Sequence, residues 1–558
     1  VERRIMSNIT LSRRLGLLLV LTIITVTPAL LAQQPPVKPA GGVLPLGGTA
    51  LHEERTDRQI GEGLTYTHIV RGHASPDDVW TLRIMLPSRE LEGGIDPDAP
   101  VGMLASKATA DGVAAKLASL GWKPSTQCFS TPALPTDVKA HEIGCAVSVG
   151  RAASGDALAE DERRLRPQGF RARRWHTSFD GNDTTGPWDV HVLTIDPRLW
   201  SVTSSLGESL VGRETVKAIA TRAGAIAAVN GGFFAMQPFD PTSGRGDGEP
   251  GEAAGIAVID GRLVSEATAG RPALFLRDGG REAIIDRFAT PLFVEGPDKE
   301  RRPIDGLNRV PGVIRNCGGT GGDAPTERAA HDVTCHDPSE IVAFTPDGLA
   351  TLPRGPGLEV VLDPAGTVTE VRTRSGAAPP RGSWVLQATG DEAAWLERVA
   401  RVGRPLRVTT EVRDSRGAPV PLAAGDFIVN GGPMLVERDA IVIDADRDGL
   451  VRHEPGTDNF FFGWVRQRNP RTMAGIDARG RVLLVAVDGR QAGHSPGLSI
   501  LEAAQVMRAL GAVTAINLDG GGSTTMVLDG QVVNRPSDPS GERADGDAVL
   551  VKPRQASR

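Results

Sequence analysis

The sequence predicts an α+β protein made of many short elements, with a small β-α-β-β-α-β unit ahead of a larger mixed-sheet domain. Three observations point to this. The chain carries 67 glycines and 41 prolines against 4% aromatic residues, a balance that favours frequent turns over a helical bundle. Apolar strand-like runs repeatedly end in Asn-Gly or Asp-Gly with no helical pattern taking over. Residues 79–178 switch between period-two and helical spacing in a regular order.

With 558 residues, 40% of them hydrophobic, the chain has about three to four domains' worth of length and can bury sizeable cores. The net charge of -6 is spread over well-mixed signs, and no long basic run follows the first residues, so nucleic acid is not an expected partner.

Taken in order, residues 1–32 read as an export signal. Arg3, Arg4, Arg13 and Arg14 precede the apolar run Leu15 to Val26, which is short for a bilayer span, and Ala29 or Ala32 offers a cleavage point. A twin-arginine route, from Ser12-Arg13-Arg14-Leu15, and an uncleaved anchor are the alternatives. The expected location is secreted or in the cell envelope, with no stable membrane span after cleavage. Residues 33–78 read as a linker and N-terminal extension, because Gln33 to Gly48 repeat Pro and Gly without apolar periodicity.

The unit at 79–178 begins with the alternating strand Val79 to Leu86. Ala108 to Leu120 has helical spacing and stops at Gly121, and His141 to Gly150 is again a strand. Asp156 to Leu165 returns to helix before Gly169, and Phe170 to Trp175 closes the unit as a strand. The four cysteines form two local pairs, Cys128 with Cys145 and Cys317 with Cys335. Outside the cytoplasm these are expected to be disulfides stabilising by about 3 kcal/mol each. For the second pair, His331 and His336 leave zinc binding as an alternative.

In the larger domain the stretch Ala515 to Leu528 is the most informative. A strand runs into Asp519, three glycines (Gly520, Gly521, Gly522) and the hydroxyls of Ser523 and Thr524. Three glycines pack poorly but let backbone approach a ligand, and their N–H groups could form an anion nest; a tight hairpin bend is the alternative. Val-Asn-Gly-Gly occurs at 229 and again at 429, placing Asn230 and Asn430 at strand ends, where they can hydrogen-bond sugar hydroxyls or phosphate oxygens or simply form turns. Arg471 and Arg490 offer guanidinium forks matched to phosphate, against the alternative of surface ion pairs.

Two further features invite a ligand. Asp444, Asp446 and Asp448 alternate ahead of Gly449 as in the first half of a calcium loop, but Pro455 stands where a closing Glu belongs, so a complete EF-hand is excluded and a looser calcium site competes with an acidic turn. No cofactor is expected to be required; calcium is the cation this acidic loop suggests. Phe460, Phe462 and Trp464 would share one face of a strand, as core or as a sugar platform.

Five motifs occur in order: Val229-Asn230-Gly231-Gly232-Phe233-Phe234, Asn469-Pro470-Arg471-Thr472-Met473-Ala474-Gly475-Ile476, Val487-Asp488-Gly489-Arg490-Gln491, Leu518-Asp519-Gly520-Gly521-Gly522-Ser523-Thr524 and Val533-Asn534-Arg535-Pro536. The set resembles the phosphodiester glycosidase family over residues 187–554. The resemblance implies a hydrolase similar to N-acetylglucosamine-1-phosphodiester alpha-N-acetylglucosaminidase, which removes an N-acetylglucosamine-type sugar from a sugar-1-phosphodiester and leaves a phosphomonoester. It implies a pocket that includes Asn230, Gly231, Gly232, Asn430, Arg471, Thr472, Arg490, Gly520 to Gly522, Ser523, Thr524 and Asn534.

In that reaction the departing phosphate needs electrostatic stabilisation more than a proton, and a carboxylate must stabilise or attack an oxocarbenium-like centre, or activate water. Asp488 and Asp519, each between an apolar strand and a glycine, are the candidates; turn-forming Asp is the alternative. Asp547 stands where the family pattern suggests Asn, and the segment from about 296 to 340 reads as an insertion. The 79–178 unit resembles a sporulation-related repeat (SPOR) domain through Val147-Ser148-Val149-Gly150 and its topology, which implies peptidoglycan binding. The expected substrate is a sugar-1-phosphodiester in an envelope or capsular glycan; the alternative is a non-catalytic binder of peptidoglycan or other envelope glycan.

Overall fold

The computed structural model describes residues 42–86, 102–131, 141–239, 246–268, 270–315, 322–330, 333–346, 348–444, 447–448 and 458–554. The expected signal at 1–32, Cys317, His331 and Asp446 lie outside the described residues. Among the described residues no helix is long and apolar enough to cross a membrane.

Glu53–Gly61 (β1) and Leu64–Arg71 (β2) form a hairpin, which corrects the reading of this stretch as part of a linker. The hairpin is the first part of an eight-stranded antiparallel sheet. β2 pairs with Trp188–Ile195 (β7), which pairs with Val482–Val487; then follow Arg471–Asp477, Ala512–Asn517, Met434–Glu437 and Ala440–Ile441. Pro and Gly repeats mark only the start of the extension, while Leu64 to Arg71 further on form a strand packed on both faces, Leu64 and Tyr66 against one apolar cluster and Ile69 against another.

Between the hairpin and β7 lies the small unit: Trp80–Ile84 (β3), Lys107–Ser119 (α1), Pro124–Ser130 (β4), Glu142–Ala152 (β5), Ala159–Leu165 (α2) and Ala172–His176 (β6). This is the β-α-β-β-α-β order read from sequence, and its antiparallel sheet runs β4-β5-β3-β6. The Cys128–Cys145 disulfide joins directly opposed residues of β4 and β5. It therefore clasps the edge pair of strands rather than a central one.

This unit shares its packing with the large domain. Phe129, Ile143 and Ala146 join Trp188, Val485 and Phe462 in one apolar cluster, and the rings of Phe129 and Phe462 lie 4.7 Å apart. The buried Arg83–Asp180 ion pair, 2.8 Å, ties β3 to the segment that leads into β7.

A second sheet packs on the eight-stranded one. Its order is Gln531–Val532, Met526–Leu528, Ala227–Asn230, Asp547–Pro553 and Trp200–Leu206 (β8). Leu193, Leu484 and Ile516 of the first sheet meet Val229, Met526 and Val549 of the second. Period two decides which side chains go where along β7: Val190 and Val192 face the helix Ile500–Ala509, so Asp189 and His191 face the second sheet. That helix starts at Ser499, whose hydroxyl accepts from Glu502 N while Glu502 accepts from Ser499 N, a full capping box. Residues 257–430 form a further β-rich lobe with its own core around Val258, Phe275 and Val294.

Candidate active site

Asn230 ends its strand fully buried at the junction of the two sheets. Its Nδ2 donates to the carbonyl of Asp519 at 2.8 Å, and its Oδ1 accepts from Thr472 Oγ1 (2.5 Å) and Thr525 N (3.2 Å). One side chain thus locks three of the five motifs together. Gly231 and Gly232 are required by space: a Cβ on Gly231 would stand 2.4 Å from Asp547 Oδ1, and one on Gly232 would stand 2.6 Å from Asn430. Asn430 holds the same turn by accepting from Phe233 N at 2.8 Å. Asn230, Asn430 and Thr472 are therefore satisfied by protein partners and shape the loops.

The glycine loop follows a similar logic. Gly520 N donates to Asp519 Oδ1 and Gly521 N to Pro470 O, so two amides of the expected anion nest are used internally. What the loop leaves without partners is hydroxyls. Thr524 Oγ1 and Thr525 Oγ1 are buried with no hydrogen bond, and the buried Ser523 hydroxyl sits against the carboxyl of Asp545. Buried polar atoms of this kind cluster where a ligand or water completes the set.

Asp519 is half-buried at the loop's start, and two further carboxylates, Asp545 and Asp547, lie within electrostatic range of it. Burial pushes the Asp547 carboxyl up to about 7, with a smaller contribution from the charge of Asp519, although Gly232 N donates to it at 2.9 Å. Burial also holds Asp545 well above the usual carboxylate range. Carboxyl groups held apart in ionisation are what paired acid and base chemistry needs.

Asp488 is almost fully buried and heavily hydrogen-bonded. Its Oδ1 accepts from Asn534 Nδ2 at 3.1 Å, both oxygens accept from Arg535 N at 3.0 Å, and Oδ2 meets His494 Nε2 at 2.7 Å. The bond to Asp488 raises the His494 imidazole above its ordinary value. Asn534 also donates to Thr524 O and accepts from Met526 N, linking this carboxylate to the glycine loop.

Beyond Asp488 lie Asp189, His68 and His191. The ligand atoms of His68, Asp189 and His191 lie within 4.8 Å of one another, as do those of Asp189, Asp488 and His494. Burial alone would raise Asp189, but His191 and His68 beside it hold its carboxyl well below the usual range, and the same contact raises His68.

Arg471 and Arg490 separate in role. Arg490 is half-exposed, with a left-handed backbone (φ 56°), and donates from Nε and Nη2 to Asn469 Oδ1. Arg471 is fully buried. It donates to the carbonyls of Leu498 (3.0 Å) and Trp464 (2.5 Å), and burial together with nearby Arg490 lowers it to about 9. The expectation that Arg471 grips phosphate is corrected: it ties the helix start to the strand.

Two other readings change. Phe460 to Trp464 are not on a strand but on the short helix Asp458–Phe461 and the wide turn Phe462–Arg466, with Phe460, Phe461 and Phe462 in the core. Of the proposed calcium ligands, Asp448 is buried against Arg287 at 2.8 Å and accepts from Met434 N at 2.9 Å, while Asp444 Oδ1 accepts from Arg447 N. Both oxygens of Asp448 are thus held by protein donors, as in an ion pair. Cys335 is disulfide-bonded, which removes it from the zinc alternative.

Sequence reading missed His68, Asp189, His191, His494 and Asp545 as site residues and met Asp547 only as a departure from pattern. A signal existed for some. Asp189 and His191 alternate with Val190 and Val192, so period two already places both polar groups on one face.

Two packed sheets whose loops gather carboxyl groups, an arginine and buried hydroxyls thus make up the candidate site. The family model described as phosphodiester glycosidase matches residues 357–552. The chain is 36% identical over 130 residues to N-acetylglucosamine-1-phosphodiester alpha-N-acetylglucosaminidase of Mus musculus, 23% of this chain, and spans 23% of that curated relative's length. Among solved structures, a Burkholderia pseudomallei K96243 protein described as exported is 33% identical with a TM-score of 0.79, covering 91% of this chain and 98% of its own. A hypothetical protein from Synechocystis, 17% identical with a TM-score of 0.51 over 91% of this chain and 80% of its own, shares the fold. Residues 357–552 are thus identified as a phosphodiester glycosidase domain.

Proposed function

We propose that the protein is an extracytoplasmic glycosidase that hydrolyses an N-acetylglucosamine-type sugar-1-phosphodiester in an envelope or capsular glycan. Water adds to C1 of the sugar, the C1–O bond breaks, and its electron pair leaves with the phosphomonoester. The observation that carries this reading is the half-buried Asp519 beside Asp547, inside the family segment and bracketed by both glycine loops. Asp519 stabilises or attacks the positive sugar carbon, while Asp547, whose carboxyl is raised to about 7, can supply or store a proton near neutral pH. Arg490 offers charge to the departing phosphate. Asp488, fixed by Asn534 and His494, is the second candidate carboxylate.

The small unit at 79–178 would hold the enzyme against peptidoglycan, a role supported by its β-α-β-β-α-β order alone. The 33% identical exported relative supports action outside the cytoplasm.

The test is direct. Purified full-length protein should release N-acetylglucosamine and a phosphomonoester from a small N-acetylhexosamine-1-phosphodiester, and Asp519→Asn should lose about a thousandfold or more of that turnover while retaining binding. Saturable binding to envelope polymer with no product across a panel of such diesters would leave a non-catalytic glycan binder instead.

A further inference from the structure

The register of the eight-stranded sheet sets His68 directly opposite His191, and β7 carries Asp189 two residues away on the same face. His68 Nε2 lies 2.8 Å from Asp189 Oδ1, and His191 Nε2 lies 2.9 Å from the same oxygen. The two imidazoles stack with centroids 4.8 Å apart and planes 10° from parallel. Tyr66 Oη meets His191 Nδ1 at 2.8 Å, which fixes the ring and turns Nε2 toward the cluster.

His191 Nε2 is the informative atom. It is buried and faces Asp189 Oδ1 at 2.9 Å, while the other ring nitrogen is engaged by Tyr66. A histidine whose Nδ1 is bound by an outer partner and whose Nε2 converges with another imidazole and a carboxylate has the arrangement of a metal ligand. Two imidazole nitrogens with one carboxylate suit a borderline-soft divalent ion better than calcium or magnesium, which prefer all-oxygen cages.

We propose that His68 Nε2, His191 Nε2 and the carboxylate of Asp189 bind one divalent transition-metal ion of the zinc class. Asp189 is shared with the Asp488 and His494 group, so the ion would adjoin the candidate active site from the side of the N-terminal hairpin. The hairpin then supplies a ligand to the domain as well as two strands.

Binding is read on the full chain without reference to turnover. After chelation and dialysis, the protein should retain about one equivalent of added Zn2+ by elemental analysis, and added Co2+ should give visible ligand-field absorption. His68→Gln, at a half-exposed position, should fold and weaken Co2+ binding by about tenfold or more, as should Asp189→Asn. His73→Gln, at an exposed position outside the cluster, should leave binding unchanged. Background metal in the folded wild type, or equal retention by the folded His68→Gln variant, would overturn the assignment.

Discussion

The side-chain amide of Asn230 donates to the carbonyl of Asp519 at 2.8 Å, although the two residues stand 289 positions apart in the chain. Both glycine loops take their shape from this contact and from the two donors on Asn230 Oδ1.

Replacing Asn230 with Ala leaves Thr472 Oγ1, Thr525 N and Asp519 O without their partner in a buried place. Denaturant unfolding should show a loss of about 2–4 kcal/mol, and turnover should fall even where the variant is folded. Full activity in a folded Asn230→Ala variant would contradict the view that this residue positions Asp519.

The raised Asp547 carboxyl couples stability to pH. Its unfolded value is 3.8 and its folded value about 7, so between these the unfolded chain has released a proton that the fold retains. This contribution is fully present below about pH 4, falls by up to about 1.4 kcal/mol per pH unit, and is lost once pH rises through about 7. Asp547→Asn should flatten the decline between about pH 4 and pH 7 in denaturant titrations. An unchanged slope would place the titrating group elsewhere.

The two arginines should behave differently. Arg490→Ala should raise KM for a phosphodiester with little change in unfolding, because its guanidinium is half-exposed and held through Asn469. Arg471→Ala should instead lower stability by about 2–4 kcal/mol, since it removes the buried donors to Leu498 and Trp464. Unfolding midpoints measured beside steady-state kinetics separate the two outcomes.

Phe129 belongs to the small unit yet packs on Phe462 of the large domain. Phe129→Ala should cost about 3–5 kcal/mol and shift a single unfolding transition. Two transitions, with only the first moved, would mean that the unit melts by itself. For the same reason, removing residues 79–178 should destabilise the large domain rather than leave it intact.

Local patterns carried much of this structure. The alternation and helix stops of residues 79–178 are consequences of side-chain period and capping, and four of the five motifs follow the end of a strand while the Asn469 motif opens one. What those patterns could not carry is depth. Arg471 and Arg490 look equivalent in sequence, but only the packing of the helix Ile500–Ala509 against the sheet decides that one is enclosed. The His68 cluster was hidden for a related reason: its members come from strands that only the sheet's register brings together, and one lies in a stretch whose prolines and glycines read as linker. Phe460 to Trp464 misled by apparent alternation, because a short helix followed by a wide turn also buries several successive aromatics.

The pairing of distant strands has a bearing on how the chain assembles. β7 finds its neighbour in Val482–Val487, and β8 is completed by Asp547–Pro553. Early segments therefore wait for nearly the whole polypeptide before either sheet can close, and such non-local closure is slow and exposes strand edges meanwhile. Truncation near residue 550 is therefore expected to leave both β8 and Ala227–Asn230 without their shared neighbour and prevent the second sheet from closing, rather than to trim a finished fold.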